Sequence, residues 1–127
     1  MNKSKKDILV VDDSESIRKF VRMILEKSNY NVFEACNGEE GIEVYERVGN
    51  IDLIITDIYM PKKTGLDLII ELNKRHKGIK IIVFSDGGKH NFSNELGECE
   101  GLGATCFIKK AFIKDELVNM VNNMFLE

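Results

Sequence analysis

The chain has 127 residues, with 18 Lys and Arg against 21 Asp and Glu for a formal net charge of −3, and it lacks the basic stripe that would announce a nucleic-acid partner. Its 43% hydrophobic content suits one buried core, and no apolar stretch approaches the ~20 residues that span a bilayer, so a single cytoplasmic domain off the membrane is expected. The three cysteines, Cys36, Cys99 and Cys106, form no Cys-x-x-Cys pair and lie in or beside apolar runs, which reads as reduced thiols rather than a disulfide or zinc framework.

Residues 1–6 form a polar, lysine-bearing arm, and the first expected strand is Ile8 to Val11, ending at Asp12 and Asp13. Ile17, Phe20, Val21, Ile24 and Leu25 then follow the i, i+3, i+4, i+7, i+8 stripe of an amphipathic helix. A second strand, Val32 to Ala35, precedes Asn37 and Glu40, which have the offset of a capping box. The third strand, Leu53 to Thr56, runs into Asp57. Thr64 with Asp67 is a weaker capping box opening the third helix, which closes on Lys74, Arg75, His76 and Lys77 before Gly78, cations at a C-terminus followed by a C′ glycine. The fourth strand, Ile79 to Phe84, ends at Ser85, and the fifth, Cys106 to Ile108, delivers Lys109 or Lys110. Leu117, Val118, Met120, Val121, Met124 and Phe125 mark a last helix that runs almost to the end, so no output domain is expected.

Apolar runs alternating with helical periodicity predict an α/β fold, since continuously apolar strands are those buried on both faces of a parallel sheet. Right-handed crossovers then place helices on both faces. The expected architecture is a five-stranded parallel sheet in the flavodoxin-like order 2-1-3-4-5, doubly wound, with strands 1 and 3 side by side at the switch point where ligands bind.

That topology brings Asp12, Asp13 and Asp57 to one crevice. Like charges so close destabilise one another unless a cation bridges them, and a hard divalent ion with oxygen ligands suits the site, Mg2+ best of all where phosphate completes its shell. Ser85 and one of the two lysines reach the same edge. A carboxylate nucleophile, a metal, a hydroxyl and an ammonium are what phosphoryl transfer to aspartate requires.

The stretches Val10-Val11-Asp12-Asp13-Ser14, Asp57-Ile58-Tyr59-Met60-Pro61-Lys62-Lys63-Thr64-Gly65 and Gly103-Ala104-Thr105-Cys106-Phe107-Ile108-Lys109-Lys110 resemble, in order, the three signatures of response-regulator receiver domains of two-component signalling. The resemblance implies a stand-alone switch similar to chemotaxis regulators, or a phosphorelay intermediate that passes the group on. It implies a phosphoryl donor that is a sensor histidine kinase or histidine phosphotransfer protein, and a downstream protein target. Asp57 would be the phosphoacceptor. Asp13 would bind Mg2+ directly, Asp12 mainly through water, and the Ile58 carbonyl would complete the shell. Ser85 and the lysine would contact phosphoryl oxygens, and Phe107 would report phosphorylation to the surface of the fourth helix, fifth strand and last helix. In the pattern Gly-Ala-x-x-aromatic-x-x-Lys, anchoring on Gly103-Ala104 selects Lys110 rather than Lys109, and successive strand residues point to opposite faces. Tyr59 and Gly87, each two residues past a site residue, would tune the lifetime of the acyl phosphate.

Plainer readings stand beside these. Asp13 could be a helix N-cap, Asp57 a turn residue, Lys110 a solvated strand end and Phe107 a core aromatic, while His76 and His90 read as surface residues. The chain also departs from the family pattern. Asp86 follows Ser85 where a small residue is usual, the segment to Gly103 is longer, and the fourth helix is expected to start near Phe92 or Ser93. Ala111 replaces the usual proline, and because a cis bond without proline costs ~3 kcal/mol, a trans Lys110–Ala111 peptide is expected. Two other functions fit less well: an aspartyl-phosphate phosphohydrolase would need a D-x-D-x-T pattern, and a flavin module a Ser/Thr/Gly-rich loop after strand 1. The expected chemistry is self-catalysed phosphorylation and dephosphorylation, not an enzyme acting on a metabolite.

Overall fold

The computed structural model describes residues 5–58, 60, 62–76, 78–85 and 106–126, apart from the Ser85 side chain. Five strands, β1 (Asp7–Val11), β2 (Asn31–Ala35), β3 (Leu53–Asp57), β4 (Lys80–Ser85) and β5 (Cys106–Lys109), form one parallel sheet in the order β2-β1-β3-β4-β5. Among the described residues the helices are α1 (Glu15–Lys27), α2 (Gly38–Val48), α3 (Gly65–Arg75) and α4 (Ile113–Met124).

Each sheet face has its own core, because alternate strand residues point opposite ways. Ile8, Val10, Leu53, Ile55, Ile82 and Phe84 are fully enclosed under α1 and α4, which contribute Val21, Leu25, Leu117 and Val121. Leu9, Val11, Ile54, Ile81 and Val83 pack on the other side, under Ile42 and Val44 of α2 and Leu68, Ile69 and Leu72 of α3. With β1 and β3 buried on both faces, polar residues are left for their carboxyl ends. There Asp12 follows β1 and Asp57 closes β3.

The caps differ in detail from the sequence reading. Ser14, not Asp13, caps α1, its hydroxyl accepting from the Ile17 N–H at 3.3 Å. Asp13 is thereby left for other work. Thr64 and Asp67 make the complete capping box, each side chain bonding the other's backbone N–H at 3.2 Å. Asn37 accepts from the Glu40 N–H, but the Glu40 carboxylate reaches one residue further, to the Cys36 N–H at 2.7 Å. Helix α3 ends at Arg75 with His76 as its extended C-cap, one residue earlier than expected, so Gly78, at φ 83°, falls at C″ and not at C′. His76 is half-exposed, its ring 5.0 Å from that of Tyr45 and its Nε2 3.5 Å from Glu46.

After β5 the chain turns at once into a 3-10 helix, Lys110–Phe112, through a trans Lys110–Ala111 peptide. His90, Tyr59, Asp86, Gly87, Gly103, Ala104 and the expected start of a helix near Phe92 or Ser93 lie outside the described residues.

Candidate functional site at the carboxyl ends of strands β1 and β3

Asp12 engages three of its four polar atoms in hydrogen bonds. Its N–H donates to the Ala35 carbonyl at 3.1 Å, its carbonyl accepts from Arg18 Nη1 at 2.8 Å, and Oδ1 accepts from the Ser14 N–H at 2.8 Å. Its remaining atom, Oδ2, lies 3.0 Å from Lys110 Nζ as an ion pair, yet no hydrogen bond is directed at it although it is fully buried. A buried carboxylate oxygen with a charge nearby but no aligned donor is under-satisfied.

Asp57, 7% exposed, faces it. Lys110 Nζ donates to Asp57 Oδ2 at 3.0 Å, so one ammonium bridges the two carboxylates. Burial pushes the Asp57 carboxyl above its ordinary value. Lys110 pulls it down and the Asp12 charge pushes it up further, and the net direction is up. Burial alone would lower the Lys110 ammonium, but its contacts with Asp12 and Asp57 outweigh that and raise it. Lysine is therefore a fixed positive charge here.

Asp13 completes the cluster from an exposed position. Asp12, Asp13 and Asp57 each present an oxygen within 4.8 Å of the others. A hard, all-oxygen donor set of this size fits Mg2+, and the under-satisfied Asp12 Oδ2 is an atom that a cation would satisfy. The Ile58 carbonyl already accepts the Gly65 N–H at 2.9 Å, which leaves its second lone pair for a ligand.

The two lysines are separated by the end of the strand. Lys109 is the last residue of β5 and exposed, whereas Lys110 opens the 3-10 turn and swings over the crevice. Alternation along a strand, the second of the two reasons anticipated from sequence, is thus not the operative one. Ser85 ends β4 opposite Lys109 in register, one position past the Phe84 that pairs with Asp57. Phe107 is half-buried and packs against the core under α2 and α3, beside Val83.

Two residues were missed by sequence reasoning. Arg18 touches the Asp12 backbone, and its signal was Glu34, a charge inside an otherwise apolar second strand. Gly65 sits so close beneath Asp57 that a Cβ would lie 2.1 Å from the Asp57 carbonyl oxygen. Only glycine fits that approach. Gly65→Ala is expected to cost about 2 kcal/mol, as overpacking against rigid backbone does, and urea unfolding of the variant checks it.

Residues 8–122 match the family described as the response regulator receiver domain. The chemotaxis protein CheY of Thermotoga maritima is 35% identical over 120 residues, 94% of this chain and 97% of that protein. The sensor kinase CckA of Brucella abortus is 31% identical over 118 residues, 92% of this chain but 12% of that protein. Among solved structures, the CheX-CheY-BeF3-Mg2+ complex from Borrelia burgdorferi aligns with a TM-score of 0.85 at 27% identity, covering 96% of this chain and 90% of that one.

Proposed function

The chain belongs to the response-regulator receiver family, and we propose that it is a signalling switch set by phosphorylation of Asp57, with Mg2+ as cofactor. Its phosphoryl donor is a sensor histidine kinase or histidine phosphotransfer protein, and a downstream protein is its target. The observation that carries this reading is the convergence of Asp12, Asp13 and Asp57 within 4.8 Å, under the ammonium of Lys110. The Mg2+-BeF3 complex of a related CheY supports the same ligand chemistry.

Asp13, Asp57 and the Ile58 carbonyl would hold the ion, with Asp12 contributing mainly through water. When bound, Mg2+ supplies positive charge against the oxygens of the transferring phosphoryl group. An Asp57 carboxylate oxygen attacks phosphorus, a P–O bond forms as the donor's P–N bond breaks, and the departing imidazole nitrogen keeps that electron pair and takes a proton from solvent. The near-complete burial of Asp57 strips its carboxylate of most water, which makes it a stronger nucleophile and leaves only the crevice mouth open.

Once a dianionic group sits on Asp57, Lys110 exchanges its carboxylate contact for a phosphoryl oxygen, and Ser85 bonds another. Phe107 then carries the change to the surface around β5 and α4. Tyr59 and Gly87 tune the lifetime of the acyl phosphate.

Incubation with a small acyl phosphate tests the reading. With Mg2+, one acid-stable, base-labile phosphoryl adduct per chain is expected, and chelation of the metal should reduce labelling to background. Labelling that is indifferent to Mg2+ would remove the metal from the mechanism.

A further inference from the structure

We infer that Arg18 is a positioning residue for the acidic site, holding the Asp12–Asp13 peptide from outside the crevice, an assignment that rests on the metal-binding reading above. Arg18 stands in the first turn of α1 with its side chain only 15% exposed. Its Nη1 donates to the Asp12 carbonyl at 2.8 Å while its Nε donates to Glu34 Oε1 at 3.0 Å. Glu34 lies on β2 opposite Val10 of β1. One guanidinium therefore ties α1, β2 and the end of β1 together.

The grip is directional. Glu34 gives each carboxylate oxygen to a different arginine, Oε1 to Arg18 and Oε2 to Arg22 Nη1 at 2.9 Å, so its orientation is set from both sides. Burial is the largest single influence on the Glu34 carboxyl and pushes it up, but the hydrogen bonds and charges of Arg22 and Arg18 together hold it below the ordinary value. It is ionised at neutral pH.

The Asp12 carbonyl and the Asp13 N–H belong to one planar peptide unit. Holding the carbonyl restrains that plane, and with it the backbone from which Asp13 presents its carboxylate. Asp12 is anchored besides at its N–H and Oδ1, whereas Asp13 is exposed and depends on that plane to face Asp57. Arg18 touches neither carboxylate oxygen of the cluster in this arrangement. It acts through the backbone.

Electrostatics and positioning predict opposite signs, which makes the inference testable. Removing a positive charge near an acidic cluster should tighten cation binding, whereas loosening the peptide plane should weaken it. Calorimetric titration with Mg2+ of the parent chain, Arg18→Met, Arg18→Lys and Arg22→Met separates them, with circular dichroism to confirm the fold. Arg22→Met removes the other half of the Glu34 pair without touching Asp12, so it controls for lost stability and lost charge.

Arg18→Met is expected to weaken Mg2+ binding by about tenfold, as loss of groups that orient metal ligands does. Arg22→Met should bind as the parent chain does, and Arg18→Lys, with one nitrogen in place of a fork, should fall between. Arg18→Met binding as tightly as the parent or more tightly overturns the inference, and so does an equal loss in Arg22→Met. Should Arg18→Met not fold, Glu34→Gln loosens the same grip with both arginines retained, and an unchanged Mg2+ affinity there overturns it equally. A parent chain that binds no Mg2+ overturns the metal reading itself, which is a different failure.

Discussion

Asp57→Asn is expected to lose the phosphoryl adduct entirely while folding at least as stably as the parent chain. The amide is close in shape but presents no carboxylate nucleophile, and no other carboxylate of the cluster combines near-complete burial with a place at the end of β3. The stability prediction follows from electrostatics. Burial pushes the Asp57 carboxyl up, so keeping it ionised at neutral pH costs stability, and the Asp12 charge adds to that cost. Asn removes both terms and leaves Lys110 paired with Asp12 at 3.0 Å. Replacing one member of a buried charge cluster by a neutral isostere in this way is expected to be neutral or to add about 1 kcal/mol. Labelling with an acyl phosphate and thermal unfolding of the same preparation check the two halves. A variant that still labels would show that another side chain accepts the group.

Lys110→Ala should do the reverse, with about 3 kcal/mol of stability lost in the absence of divalent cation, because it strips the counterion from two buried carboxylates. Both carboxylates are almost wholly enclosed, with side-chain exposures of 0% and 10%, so solvent cannot take over the screening. A bound cation can. The ammonium and a Mg2+ ion compete for the same carboxylates, so the variant should bind Mg2+ more tightly than the parent. Mg2+ stabilises both proteins, so the stability gap between them should narrow as Mg2+ is added by RT ln of the ratio of their affinities, about 1.4 kcal/mol for each tenfold by which the variant binds more tightly. The signalling consequence is separate: phosphorylation should still occur but no longer drive the conformational change, since the charge-assisted contact with the phosphoryl oxygen is gone. Lys109→Ala, at an exposed strand end, should stay within about 0.5 kcal/mol of the parent. A Lys109 variant as damaging as the Lys110 variant would sink the distinction between them.

The amino-acid sequence determined the strands and their parallel pairing, because continuous apolar runs such as Ile8 to Val11 and Leu53 to Thr56 are satisfied by burial on both faces and their alternation with helical segments calls for parallel strands joined by right-handed crossovers, for which 2-1-3-4-5 is the common five-strand order. It also determined that Asp12, Asp13 and Asp57 meet, since strands 1 and 3 are neighbours in that order and each ends on its acid. What only the tertiary structure decided are contacts between residues distant along the chain or poised at the edge of an element. Lys110 reaches the crevice because β5 stops at Lys109 and the backbone turns into a 3-10 helix, a change of direction that no alternation rule contains. Glu40 passes over the Asn37 backbone to reach the Cys36 N–H, while the box that looked weaker, Thr64 with Asp67, closes completely. Arg18 meets the Asp12 carbonyl and Glu34 at once only after α1 has packed across β1 and β2. Periodicity records whether a side chain is turned toward the core, but the partner of a charged group is set by distances of an ångström or two across packed elements, and these exist only once the elements have docked.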